Sequence, residues 1–194
     1  METGDAIISI QDLNFQYKGA DKPALQRLEM KLTAGERCLL VGPNGSGKST
    51  LLQILAGKHL VTPSDCVELL GRQTFHDTRL NLERTHIDID WGVRTRYGCP
   101  LQADIPVHSL MVQLQQEYPE RRNELLALLR VDLNWRLHEV SEGQRRRIQI
   151  FLALIRPFKI LLLDDVAVSL DVVAREDLFH WLKRESMEKG AVIM

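Results

Sequence analysis

The chain has 194 residues, 44% hydrophobic and 26% charged, which fits one folded domain and excludes disordered and collagen-like architectures. With 25 Lys+Arg against 26 Asp+Glu the formal net charge is -1, so no global basic field exists to hold nucleic acid or an anionic membrane. Cys38, Cys66 and Cys99 lie far apart with no CxxC spacing, so neither a disulfide framework nor a zinc site is expected and a reducing compartment follows.

Residues 6–10, 13–17 and 25–32 alternate in the manner of strands, separated by polar or Gly/Pro-containing turns. Residues 37–41 form a short apolar run that meets glycines at once. Residues 49–56 then have helical composition, ended by Gly57. Residues 67–70 and 86–90 are short predicted strands. Residues 107–116 and 120–129 carry helical apolar spacing, and residues 141–155 form a strong predicted helix with Arg145, Arg146 and Arg147 on one side. Residues 160–163 read as a buried strand entering Asp164 and Asp165, residues 174–187 as an amphipathic helix, and residues 191–194 as the start of another strand. The most apolar stretch, residues 148–163, is broken by Arg156, Pro157 and Lys159 and falls short of a membrane span. Met1-Glu2-Thr3-Gly4-Asp5 shows no signal peptide, so cytosol or nucleus is the expected location.

Gly42-Pro43-Asn44-Gly45-Ser46-Gly47-Lys48-Ser49-Thr50 matches G-x-x-x-x-G-K-[ST] between a predicted strand and a predicted helix, the context a phosphate loop requires. Glycines let successive backbone N–H groups turn toward phosphates, the following helix points its N-terminus at the same charge, and Lys48 neutralises the outer phosphates. Ser49 would give its hydroxyl to Mg²⁺. A phosphate loop also needs an acidic group for the metal, and Asp164 at the end of an apolar strand supplies it. The competing readings are a chance glycine turn before a lysine and an Asp that merely forms a turn.

Val140-Ser141-Glu142-Gly143-Gln144, followed by the three arginines, resembles the signature motif of ATP-binding-cassette (ABC) ATPases, usually Leu-Ser-Gly-Gly-Gln at a helix start. A capping box with Ser141 as N-cap and Gln144 reaching back is compatible with it. The resemblance implies an α/β P-loop NTPase of ABC type over residues 1–194: a mostly parallel sheet core, an N-terminal antiparallel β region and a small helical subdomain near residues 102–156. It implies ATP and Mg²⁺ as ligands, with Tyr17 stacking on adenine and residues 42–50 around the phosphates. Ser49, Gln102 and Asp164 would lie at the metal, and Lys48, Gln102 and Asp165 would act in catalysis. Ser141, Gly143 and Gln144 would close on the triphosphate of a second copy in a homo- or heterodimer. Residues 168–171, Val-Ser-Leu-Asp, resemble the family's D-loop.

Residues 140–175 look most like the soluble class I ABC ATPases typified by CCR4-associated factors and their plant counterparts. That resemblance implies a cytoplasmic or nuclear protein, a regulatory complex and, in some lineages, a link to mRNA. Three positions depart from the family pattern. Glu142 replaces the first glycine of the signature pair, and Asp165 stands where the family uses a catalytic Glu. The switch histidine would follow the strand starting at Ala191, beyond Met194; His138 and His180 read as surface groups. Asp165 and the switch-histidine position beyond Met194 predict slow hydrolysis. A transporter's energising subunit and a non-catalytic, ATP-responsive regulatory module are the alternatives. RNA binding through Arg145–Arg147 competes poorly with a solvated face or an intradomain partner for acids.

Overall fold

The computed structural model describes residues 6–88, 104–166 and 170–194, and the chain divides into two compact units. The first comprises Met1–His86, Phe158–Leu163 and Arg184–Met194, and the second Ile87–Pro157 and Asp164–Lys183.

In the first unit an antiparallel sheet has the order β2-β1-β3-β4, with β1 Ile8–Phe15, β2 Leu25–Leu32, β3 Val67–Leu69 and β4 Arg72–Gln73. The sequence suggests two strands before residue 18; the structure has one. Ile8, Ile10 and Leu13 are all buried, which strict alternation forbids, because two residues separate Ile10 from Leu13. Register shifts on either side of Leu13, with Asp12 at φ 44 and Arg27 at φ 46, absorb the extra residue and keep Leu13 inward. A second sheet has the order β5-β6-β7, with β5 Arg84–Ile87, β6 Ile160–Leu163 and β7 Val192–Ile193, the last two parallel. The α1 helix, Lys48–Leu55, buries Leu51, Leu52, Ile54 and Leu55 in a core shared with Ile8, Leu69, Ile160 and Val192.

The run 37–41 is not a strand among the described residues. Only Arg37 bridges, in parallel, to Ile193, and Cys38 N–H donates to the Ile193 carbonyl at 2.8 Å. Leu39 and Val41 remain 85% and 84% exposed, while Cys38 and Leu40, on the alternate face of the run, pack against the core of the first unit.

The second unit holds α2 Val112–Glu117, α3 Pro119–Leu129 and α4 Glu142–Leu154. The helix expected over residues 107–116 splits into a 3-10 turn, Val107–Ser109, and α2, with Met111 at φ 49 between them. Gln115, 3% exposed, explains the break: its side-chain amide donates to the carbonyls of Val107 and Leu110 at 3.2 and 2.6 Å, satisfying groups the helix would otherwise use. The last helix, α5 Val172–Lys189, begins in the second unit and ends in the first. No described helix is long and apolar enough to cross a membrane.

Candidate functional site

In the first unit the glycine loop folds back over its own lysine. Lys48 Nζ donates to the carbonyls of Gly42 and Pro43 at 2.8 and 2.9 Å, which holds the ammonium over the loop. No side chain caps the N-terminus of α1 and its first turn carries no acid, so the positive end of the helix dipole stays open to an anion. Gly47 is the N-cap at φ 89. A Cβ there would stand 2.6 Å from the Ala24 carbonyl oxygen and 2.7 Å from Leu25 Cδ2, so only glycine fits both the backbone angle and the space. A Cβ added at Gly45, at φ 81, would meet nothing within 4 Å. Pro43, Asn44, Gly45, Ser46 and Ser49 are exposed. An uncapped helix N-terminus, a compact cation and a close-packed glycine form a cradle suited to phosphate.

Tyr17, expected beside the base, is 39% exposed and shares a hydrogen bond between its hydroxyl and Thr50 Oγ1 at 3.1 Å. Thr50 is itself buried in the first turn of α1, so the phenol is tied to the phosphate-loop helix.

The signature residues lie in the second unit. Ser141 is the N-cap of α4 and the capping box is complete: Gln144 N–H donates to Ser141 Oγ at 3.3 Å, and Ser141 N–H donates to Gln144 Oε1 at 2.9 Å. Glu142 sits exposed in the first helical turn, where a carboxylate favours the helix dipole. Ser141, Gly143 and Gln144, with Arg130, Trp135 and Arg147, line a cleft of about 470 Å³.

The arginine triplet does not share one side, because consecutive helical residues point about 100° apart. Arg145 donates to the Leu137 carbonyl, and Arg147 pairs with Asp171. Arg146 is 7% exposed and donates to the Asp88 carbonyl at 2.5 Å, to Gln149 Oε1, and more weakly to the carbonyls of Asp164 and Asp165 at 3.5 and 3.4 Å. Burial lowers its pKa, opposed by Asp88, Asp165 and Asp164. Arg146 therefore organises the corner carrying both acids, a role that the run of basic residues does not announce. Its only sequence signal is its place on the buried stripe of α4 with Gln149 and Ile150.

Asp164 N–H donates to the Ile87 carbonyl at 2.9 Å. Asp165 is exposed at φ 48, a left-handed angle that the short side chain of Asp tolerates better than most. Asp171 accepts from Ala174 N–H at 2.9 Å, which starts α5; the backbone bond from Ala174 and the Arg147 guanidinium hold its carboxyl below the usual range. Gln102, Val168 and Ser169 lie outside the described residues, as does Cys99. His138 and His180 are both exposed. No group of three or more His, Cys, Asp or Glu among the described residues forms a metal cluster.

The family model described as ABC transporter matches residues 25–168. The chain is 42% identical over 202 aligned residues to ABC transporter I family member 20 of Arabidopsis thaliana, covering 98% of this chain and 61% of that one. It is 44% identical to member 21 of the same plant, covering 98% and 68%, and 31% identical to CCR4-associated factor 16 of Saccharomyces cerevisiae, covering 92% and 65%. The chain thus spans roughly two thirds of these relatives' length. Among solved structures it superposes on a dimeric ATP-binding cassette captured after hydrolysis with ADP and Pi, at TM-score 0.71 and 21% identity over 96% of this chain and 85% of that one. An ABC transporter ATP-binding protein from Pyrococcus furiosus matches at TM-score 0.72 and 25% identity, covering 96% and 89%.

Proposed function

The chain belongs to the ABC transporter family as an ABC ATPase nucleotide-binding domain, and on that premise we propose that it binds Mg-ATP at its glycine loop and joins a second cassette head to tail around the nucleotide. The observation that carries this reading is the loop over Lys48: an ammonium parked on two loop carbonyls beside an uncapped helix N-terminus. An arriving triphosphate would exchange those carbonyls for charged oxygens, a stronger charge-assisted contact, while the backbone N–H groups at the start of α1 take the inner phosphates. Tyr17 would lie against the base. Ser49 hydroxyl and Asp164 carboxylate, both hard oxygen donors, are the residues that would hold magnesium, with Gln102 as the third group the family resemblance assigns. Bound Mg²⁺ would neutralise charge building up on the phosphates.

From the second copy, Ser141, Gly143 and the N-terminus of α4 would face the outer phosphate, since one cassette supplies a phosphate loop and a signature helix but uses each for a different nucleotide. Asp165 would accept the proton of the attacking water. One methylene shorter than Glu, it leaves the carboxylate withdrawn by about 1.5 Å, and turnover would be slow. By likeness to CCR4-associated factor 16 of Saccharomyces cerevisiae, the domain would act in a cytoplasmic or nuclear regulatory assembly. Sedimentation with and without Mg-ATP, in wild type and Ser141→Arg, tests the sandwich: ATP-dependent dimerisation abolished by the variant supports it, and a strict monomer at saturating nucleotide refutes it.

A further inference from the structure

Beside Tyr17 stand two rings that the phosphate-loop motif does not account for. His59 lies just beyond α1, 5.4 Å from the Tyr17 ring centroid at an interplanar angle of 88°. Phe15, at the end of β1, meets Tyr17 at 5.1 Å and 84° and His59 at 5.2 Å and 43°. The three rings close on one another, and Tyr17 meets both neighbours in the edge-to-face arrangement that aromatic quadrupoles favour. His59 is itself fixed, because its Nε2 and Gln53 Oε1 are 2.9 Å apart and Gln53 belongs to α1. Tyr17 is therefore held at two points, by its hydroxyl on Thr50 and by its ring against the adjoining pair Phe15 and His59. Both points trace back to α1, one in its first turn and one through Gln53.

We propose that His59 is a positioning residue for the nucleobase, holding the Tyr17 ring in the orientation that receives the base of a bound nucleoside triphosphate. The inference rests on the nucleotide reading above and adds to it a residue that selects between a nucleotide and a bare polyphosphate. Tyr17 lies in an exposed turn beyond the strand, where an unsupported phenol samples several rotamers. A ligand that needs one rotamer binds with its intrinsic affinity reduced by the fraction of time that rotamer is present. Losing one edge-to-face contact shifts such a population by about two- to tenfold. Phosphate binding at the loop needs no ring and is indifferent to the shift.

The test is calorimetric titration of wild type, His59→Ala and His59→Phe with Mg-ATP and, separately, with Mg-tripolyphosphate. The expected result is that His59→Ala weakens ATP by about two- to tenfold and leaves tripolyphosphate unchanged, while His59→Phe, which keeps a ring at that place, restores ATP affinity. ATP binding unaltered by His59→Ala overturns the proposal. Equal losses for both ligands overturn it too, because His59 would then act on the loop rather than on the ring. A His59→Phe variant as weak as His59→Ala shows that the imidazole, not a ring contact, matters and likewise refutes it. Wild type that binds neither ligand would instead bring down the phosphate-loop reading itself, an outcome distinct from all of these.

Discussion

Replacing Gly47 by alanine should cost far more stability than the same change at Gly45, although both glycines lie in the same loop at positive φ, 89 and 81. A left-handed conformation costs an L-residue about 1–2 kcal/mol, and both substitutions bear that strain. At Gly45 nothing lies within 4 Å of the added methyl, so the strain is the whole penalty. At Gly47 the methyl would enter to 2.6 Å from the Ala24 carbonyl oxygen and 2.7 Å from Leu25 Cδ2. Leu25 can rotate, but the carbonyl belongs to backbone entering β2 and must move with it. Overpacking of this kind adds about 1–3 kcal/mol. The two variants should therefore differ by about 1–3 kcal/mol, which for a chain of this size is roughly 2–12 °C in Tm. Thermal and urea unfolding without nucleotide would measure the difference, keeping phosphate binding out of the comparison. Equal destabilisation by the two substitutions would show that the close approach of the loop to Ala24 does not govern this corner.

Arg146→Met should destabilise by about 1–3 kcal/mol, because Gln149 Oε1 loses its buried donor while the Asp88 carbonyl keeps the Gln149 amide at 2.8 Å; denaturant unfolding would register a smaller loss if the guanidinium were dispensable. Ser141→Ala should cost about 1 kcal/mol through its N-cap, and unchanged stability would argue against the capping box. Lys159 and Arg72 hold the Glu83 carboxyl below its ordinary 4.5. A depressed folded pKa gives stability that is full above the unfolded value and lost as pH falls through the folded one. Unfolding midpoints should therefore drop as pH is lowered from 4.5, less steeply in Lys159→Met, and parallel pH profiles would contradict the pairing. ATP turnover should stay below about 0.1 s⁻¹ against a typical enzyme median near 10 s⁻¹. Steady-state phosphate release at several per second, unaltered by Asp165→Asn, would remove Asp165 from the role of base.

Local signals with a single physical cause were legible in the sequence. The glycine that ends α1, the Ser141/Gln144 box that begins α4 and the apolar run of β6 each depend on residues within four positions of one another. The merged β1 was not, because Gln11 and Asp12 look like a turn until the pairing with β2 shows a bulge. The break at Met111 was hidden for a similar reason: the apolar spacing runs on, and only the buried Gln115 amide shows where carbonyls leave the helix. Within the site, the phosphate loop and signature helix could be read from motif and capping. Arg146 and His59 could not, since the first acts on carbonyls from distant segments and the second gains meaning only beside Tyr17.

Titration of Mg-ATP into the chain and its Lys48→Ala variant tests the central claim most directly. Lys48 is the cation that the loop holds on the carbonyls of Gly42 and Pro43, and a charge-assisted contact to phosphate is worth about 1.5–3 kcal/mol. Wild type should bind, and Lys48→Ala should bind at least about tenfold more weakly; equal affinities in the two proteins would contradict a phosphate-binding loop.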